Sequence, residues 1–142
     1  MNTDARALVV DAYNKAQDLL YADRSPEDDT ELLTLAFVSK HFWKQAGGNM
    51  QFAISDWLIS RVFGELGFND LAVEFAVASL NYDDTNFPNW TKASLNEGAA
   101  RAFKGVGMEE EAGRHVALAY EFLAKEENSA DAAVIEQQLK DL

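Results

Sequence analysis

DWLISRVFGELGFNDLAVEFAVASLNYDD, residues 56–84, reads as two helices joined by a tight turn at Gly67. Shifted by 40 residues, this stretch meets a second copy of itself: Arg61 falls on Arg101, Phe63 on Phe103, Gly67 on Gly107 and Ala72 on Ala112. Softer matches continue along the second helix, with Ala76 on Val116, Ser79 on Ala119, Leu80 on Tyr120 and Tyr82 on Phe122. Each strong match has a physical reason. Gly67 and Gly107 suit the left-handed position after a helix C-terminus, which is costly for residues with a Cβ. Phe63 and Phe103 stand four residues before those glycines, where a first helix must end. Ala72 and Ala112 are small where two helices press together.

Repeats of this period point to stacked helical hairpins. Trp57, the pair Ile59-Ser60, Phe63, Gly67, Ala72 and Ser79 occupy the places that an aromatic, a Leu-Gly-like pair, an aromatic, a turn glycine and small second-helix residues hold in the tetratricopeptide repeat. The second copy offers Ala99-Ala100, Phe103, Gly107, Ala112 and Ala119, with Glu97 where Trp57 would be. The period of 40 exceeds the typical ~34 of that repeat and no proline closes either second helix, so the chain resembles it as TPR-like and not as a strict copy. TLAFVSKHFWKQAG at 34–47 together with SRVFGELG at 60–67 also resembles a small bacterial family of helical-repeat proteins with a Ser-Arg-Val-aromatic-x-x-Leu-Gly signature and no assigned activity. That resemblance spans roughly residues 30 to 125 and implies the fold. Phe42 stands where that family often has a histidine before the tryptophan, and His41 lies one place earlier.

Outward from the repeat, local signals mark the other helices. Residues 3 to 21 place Leu8, Val9, Ala12, Tyr13, Ala16, Leu19 and Leu20 at helical spacing. Ser25 reads as an N-cap, with Pro26 at the first helical position and Glu27, Asp28 and Asp29 at the positive end of the helix dipole. This second helix presents Leu32, Leu33, Ala36, Phe37, Phe42 and Trp43 and stops at Gly47-Gly48. Asn49 opens the third helix and Asn69 caps the fourth, which runs to about Tyr82. Pro88 starts the fifth and Glu109-Glu110-Glu111 the sixth. Asn128 with Asp131 resembles a capping pair for a polar seventh helix, the kind of element that shields the end of a repeat stack. The reading is one all-α domain over 1–142: antiparallel hairpins at about 3–46, 49–82 and 88–125 and a capping helix at 129–141, stacked as a short TPR-like right-handed superhelix.

Composition narrows function by exclusion. The net charge is −12, from 24 acidic and 12 basic residues, which opposes binding to nucleic acid and to anionic membrane surfaces. The absence of cysteine removes disulfides, thiol nucleophiles and cysteine zinc sites. The first residues lack a cationic start and apolar run, and no run approaches the ~18 apolar residues of a membrane span, so a cytoplasmic location is expected. The serines stand in no nucleophile elbow, and Gly105-Val106-Gly107 lacks the context of a phosphate loop. Glu111 and His115 share a helix face but find no further metal-ligand pattern in the sequence. The expectation is therefore a non-enzymatic module with no cofactor and no metal.

Trp57, Arg61, Arg101 and Lys104 form the candidate partner-binding strip. The arginines hold the same place on the first helix of successive hairpins, the helix that lines the concave face in a TPR-like stack. A guanidinium presents a fork of donors to carboxylates, so the expected partner is an acidic or carboxylate-ended protein segment. The plainer alternative pairs Arg61 with Glu65 and Arg101 with Glu97 along their own helices. Trp43 and Trp90 are further aromatic candidates. A second functional reading is a small-ligand or catalytic helical domain with a pocket near Arg61, Arg101 and His41. A homodimer, covering the apolar ends of a short stack, is a further expectation.

Overall fold

The computed structural model describes residues 3–126 and 129–142. Among the described residues there are seven α-helices and no strand: α1 (Thr3–Leu20), α2 (Pro26–Ala46), α3 (Asn49–Glu65), α4 (Asn69–Ser79), α5 (Asn89–Gly105), α6 (Glu109–Leu123) and α7 (Ser129–Lys140). The most extensive helix contacts are α1 with α2, α3 with α4, and α5 with α6, which are the three hairpins. α3 packs in turn on α2 and α5, and α7 lies against α5 and α6.

The helix ends follow the local chemistry. Ser25 Oγ accepts from the Asp28 N–H at 3.2 Å while Asp28 Oδ2 accepts from the Ser25 N–H at 3.1 Å, a closed capping box at the start of α2. Gln51 Oε1 accepts from the Gly48 N–H at 2.9 Å at the start of α3. The two repeat turns are alike. Gly67 and Gly107 have φ of +86° and +79°, and the N–H groups that follow them return to the Phe63 and Phe103 carbonyls at 2.9 and 3.0 Å. This 6→1 bond satisfies a carbonyl that the helix end would leave open. Two local expectations change. Asn69 makes no side-chain cap and Phe68 holds the cap position; α4 ends at Ser79, short of Tyr82. Asn128 lies outside the described residues.

α3 and α5 are 17 residues each, and the 40-residue shift carries one onto the other end to end. They are the central helices. Every residue from Ser55 to Phe63 is buried, and so are most of those in α5 from Thr91 to Ala102, with Lys92, Ser94 and Arg101 half-buried. Helices enclosed all round carry apolar or small residues on every face, as ISDWLISRVF and LNEGAARA mostly do. Ser60 Oγ donates to the Ala72 carbonyl at 2.6 Å and ties α3 to α4. The main core gathers Leu20, Leu32, Leu58, Ile59, Val62 and their neighbours; a smaller one sets Ala93, Ala119, Ile135 and Leu139 under α7. The outer helices are more selective than their apolar periodicity indicates: Val9 and Leu32 are buried, whereas Leu8 and Phe37 are largely exposed.

Candidate functional site

A groove of about 820 Å³ runs along one side of the molecule. It is built from the first helix of each hairpin and from α7: Tyr13 and Gln17 of α1 with Tyr21 just beyond it, Ile54 and Trp57 of α3, Trp90 and Leu95 of α5, Val134 and Ile135 of α7. The wall is mainly aromatic and aliphatic. Its polar groups are Gln17, Thr91, Ser94, Gln137 and Gln138, and among the described residues its one acidic member is Asp131. Two side chains in the wall hold buried polar atoms with no hydrogen-bond partner among the described residues, Thr91 Oγ1 and Trp57 Nε1. Gly98 lets Trp57 reach its place: a Cβ there would stand 2.5 Å from Trp57 Cδ1.

The four residues of the sequence strip separate in space. Trp57 lines the groove. Arg61 and Arg101 line a second, smaller cavity of about 230 Å³ between the C-terminal halves of α3 and α5, with Ser60, Glu65, Asn69 and three glycines. Lys104 is exposed on the surface of α5 and lines neither cavity. His41 sits on the outer face of α2 in a shallow depression with Leu33, Phe37 and Phe42, so a pocket joining His41 to Arg61 and Arg101 does not form.

The two arginines share one carboxylate. Glu97 is fully buried, and Arg101 Nε donates to its Oε1 at 2.9 Å, with Nη2 also on that oxygen. This part of the sequence expectation holds. Arg61 departs from it: its nearest carboxylate is Glu97 Oε2, 4.0 Å from Nη1, and Glu65 faces Arg24 at 3.6 Å instead. Helix α5 delivers Glu97 to the middle of the α3–α5 contact, so the acid that neutralises Arg61 comes from across the interface. The Arg61 guanidinium is also set over the rings of Trp57 and Tyr21, 5.7 and 5.9 Å from their centroids, in cation–π range.

Further polar groups serve packing. Asp56, fully buried, takes Lys40 Nζ at 2.5 Å and the Tyr82 hydroxyl at 2.7 Å, joining α2, α3 and the loop after α4. Burial and the Asp56 carboxylate push the Tyr82 phenol up to about 12. His115 does not turn to Glu111; it stacks on Phe103 and sets Nδ1 2.9 Å from Asn96 Oδ1. Burial, and then the Arg114 charge, hold its pKa below the usual histidine range. Among the described residues no three His, Asp or Glu side chains gather so as to hold a metal ion, and no helix is long and apolar enough to cross a membrane.

Sequence spacing missed Tyr13, Tyr21, Thr91, Gly98 and the inner face of α7. Gly98 did leave a signal, because a glycine inside a helical pattern usually has a packing reason. Glu97 left another, as a charge at the repeat position of a core tryptophan. Comparison with known proteins finds no family model, no curated protein and no solved structure that matches this chain.

Proposed function

We propose that the chain is a non-enzymatic binding module of TPR-like type that holds a peptide or protein segment in the groove between the first helices of its hairpins and α7. The observation that carries this reading is the make-up of the wall: aromatic and aliphatic side chains to seat apolar residues, interspersed with amides and hydroxyls that can pair with a peptide backbone. Trp57 and Trp90 are the anchors, large and rigid side chains of the kind that dominate binding energy. Among the described residues the groove wall has no basic side chain, so apolar content selects the segment there, and the acid preference expected of the arginines attaches to the smaller cavity. The volume also lies within the ~300–1,000 Å³ typical of small-molecule pockets, which favours a small apolar ligand as the second reading.

Selection of a random peptide library on the protein tests the proposal. Ser94→Trp fills the groove wall and should abolish binding of the selected sequences, while circular dichroism stays unchanged. Enriched peptides that bind this variant as they bind the parent protein would place the binding surface elsewhere.

A further inference from the structure

We infer that the cavity between α3 and α5 is a site for a small carboxylate monoanion, received by the guanidinium groups of Arg61 and Arg101. The inference stands apart from the groove, which is a separate cavity.

Arg61 is only 5% exposed, yet its Nε and Nη1 have no hydrogen-bond partner among the described residues. Its distance of 4.0 Å to Glu97 Oε2 is a charge contact and too long for a hydrogen bond. Glu97 Oε2 likewise has no hydrogen-bond partner, while Oε1 is taken by Arg101. Buried donors on a charged group are costly to leave unpaired. Trp57, seated on Gly98, and Tyr21 both lie in cation–π range of the guanidinium.

The charges select the ligand. Arg61 and Arg101 carry two positive charges against the single buried carboxylate of Glu97, which leaves one positive charge for a monoanion. Glu65 also lines the cavity; it is 45% exposed to solvent, and its contact with Arg24 at 3.6 Å is longer than the 2.7 Å that Arg24 makes to Asp29. A second negative charge on the ligand would face it, so a dianion is disfavoured. A planar carboxylate matches the fork of a guanidinium. The volume of about 230 Å³ falls below the usual range of whole-ligand pockets, and so fits a small acid or the acid end of a longer molecule. Gly64, Gly98 and Gly105 add backbone without a Cβ to the wall. The carboxylate can therefore come free in solution or at the C-terminus of a segment; the chemistry is the same.

The test follows the Arg61 Nε–Hε resonance in the full chain by NMR at constant ionic strength. The probes are sodium acetate, a tripeptide with a free C-terminus, the same tripeptide amidated, inorganic phosphate and sodium chloride. The expected result is a saturable shift with acetate or the acid tripeptide, none with chloride or the amide, and binding of phosphate at least tenfold weaker. Acetate and the tripeptide together point to any small carboxylate; the tripeptide alone points to a segment's end. Arg101→Gln should weaken the carboxylate at least tenfold, and Arg101→Lys, which keeps the charge without the fork, serves if the first variant does not fold. An Arg61 resonance that no carboxylate moves would overturn the inference, and so would phosphate binding as tightly as acetate. Groove binding is read on the Trp90 indole, so the two readings fail independently.

Discussion

A Cβ placed on Gly98 would lie 2.5 Å from Cδ1 and 2.8 Å from Nε1 of Trp57, closer than side chains pack, so the indole occupies the space that any other residue at position 98 would need. Through this contact α5 seats the groove's central tryptophan, and Trp57 in turn supports Arg61 at 5.7 Å. One glycine thus underlies both cavities.

Gly98→Ala should destabilise the fold by ~1–3 kcal/mol, the usual cost of overpacking, despite the better helix propensity of alanine. Gly113→Ala is the control. That glycine lies within α6, and a methyl group added there would meet nothing within 4 Å, so the change should stabilise by ~0.5–1 kcal/mol. Urea midpoints moving in opposite directions would bear this out; a stabilised Gly98→Ala would contradict it.

Gly67→Val should cost ~1 kcal/mol or more, because φ of +86° is strained for a β-branched residue although space is open around it. The same change at Gly107, with φ of +79°, should behave alike. Denaturation midpoints at their original values would show that the turns do not require the left-handed conformation.

Much of this fold is legible in the sequence because its signals are local. Ser25-Pro26 opens α2, and Gly67 and Gly107 close the first helices of the second and third hairpins, each through the residue's own conformational preference. The site is less legible because its contacts cross the repeat. Spacing alone offered Arg61 a partner one turn away, Glu65, whereas burial of the α3–α5 interface brings Glu97 to it from 36 residues further on. Periodicity also made α7 only a polar cap. Its Val134 and Ile135 line the groove, which the scatter of apolar residues along 129–141 did not reveal.

Glu97→Ala should cost ~3–5 kcal/mol, since it leaves the buried Arg61 without a counter-charge. Glu97→Gln keeps the shape and separates lost charge from lost volume. Thermal unfolding is the measurement; a variant as stable as the parent would mean that the two arginines do not depend on this carboxylate.

Stability should fall at alkaline pH through Tyr82. Its folded pKa is raised to about 12 from the ordinary 10.0, so its contribution is fully present below pH 10 and is lost as pH rises from 10 towards 12. Tyr82→Phe should flatten that part of the stability profile. For His115 the sign is reversed. Its pKa is lowered, so its contribution is present above the unfolded value of 6.5 and declines as pH falls through 6.5 and below. An identical alkaline slope in the parent and Tyr82→Phe would show that Asp56 does not hold the phenol.

The central claim is that a segment occupies the groove, and the three tryptophan indoles test it most directly. Trp57 and Trp90 line the groove, whereas Trp43 lies on α2 beneath Arg6, outside it. Titration with a selected peptide, followed on the indole N–H resonances, should shift Trp57 and Trp90 saturably and leave Trp43 in place. Saturable binding with the Trp57 and Trp90 resonances unmoved, or with Trp43 alone moving, would contradict the account.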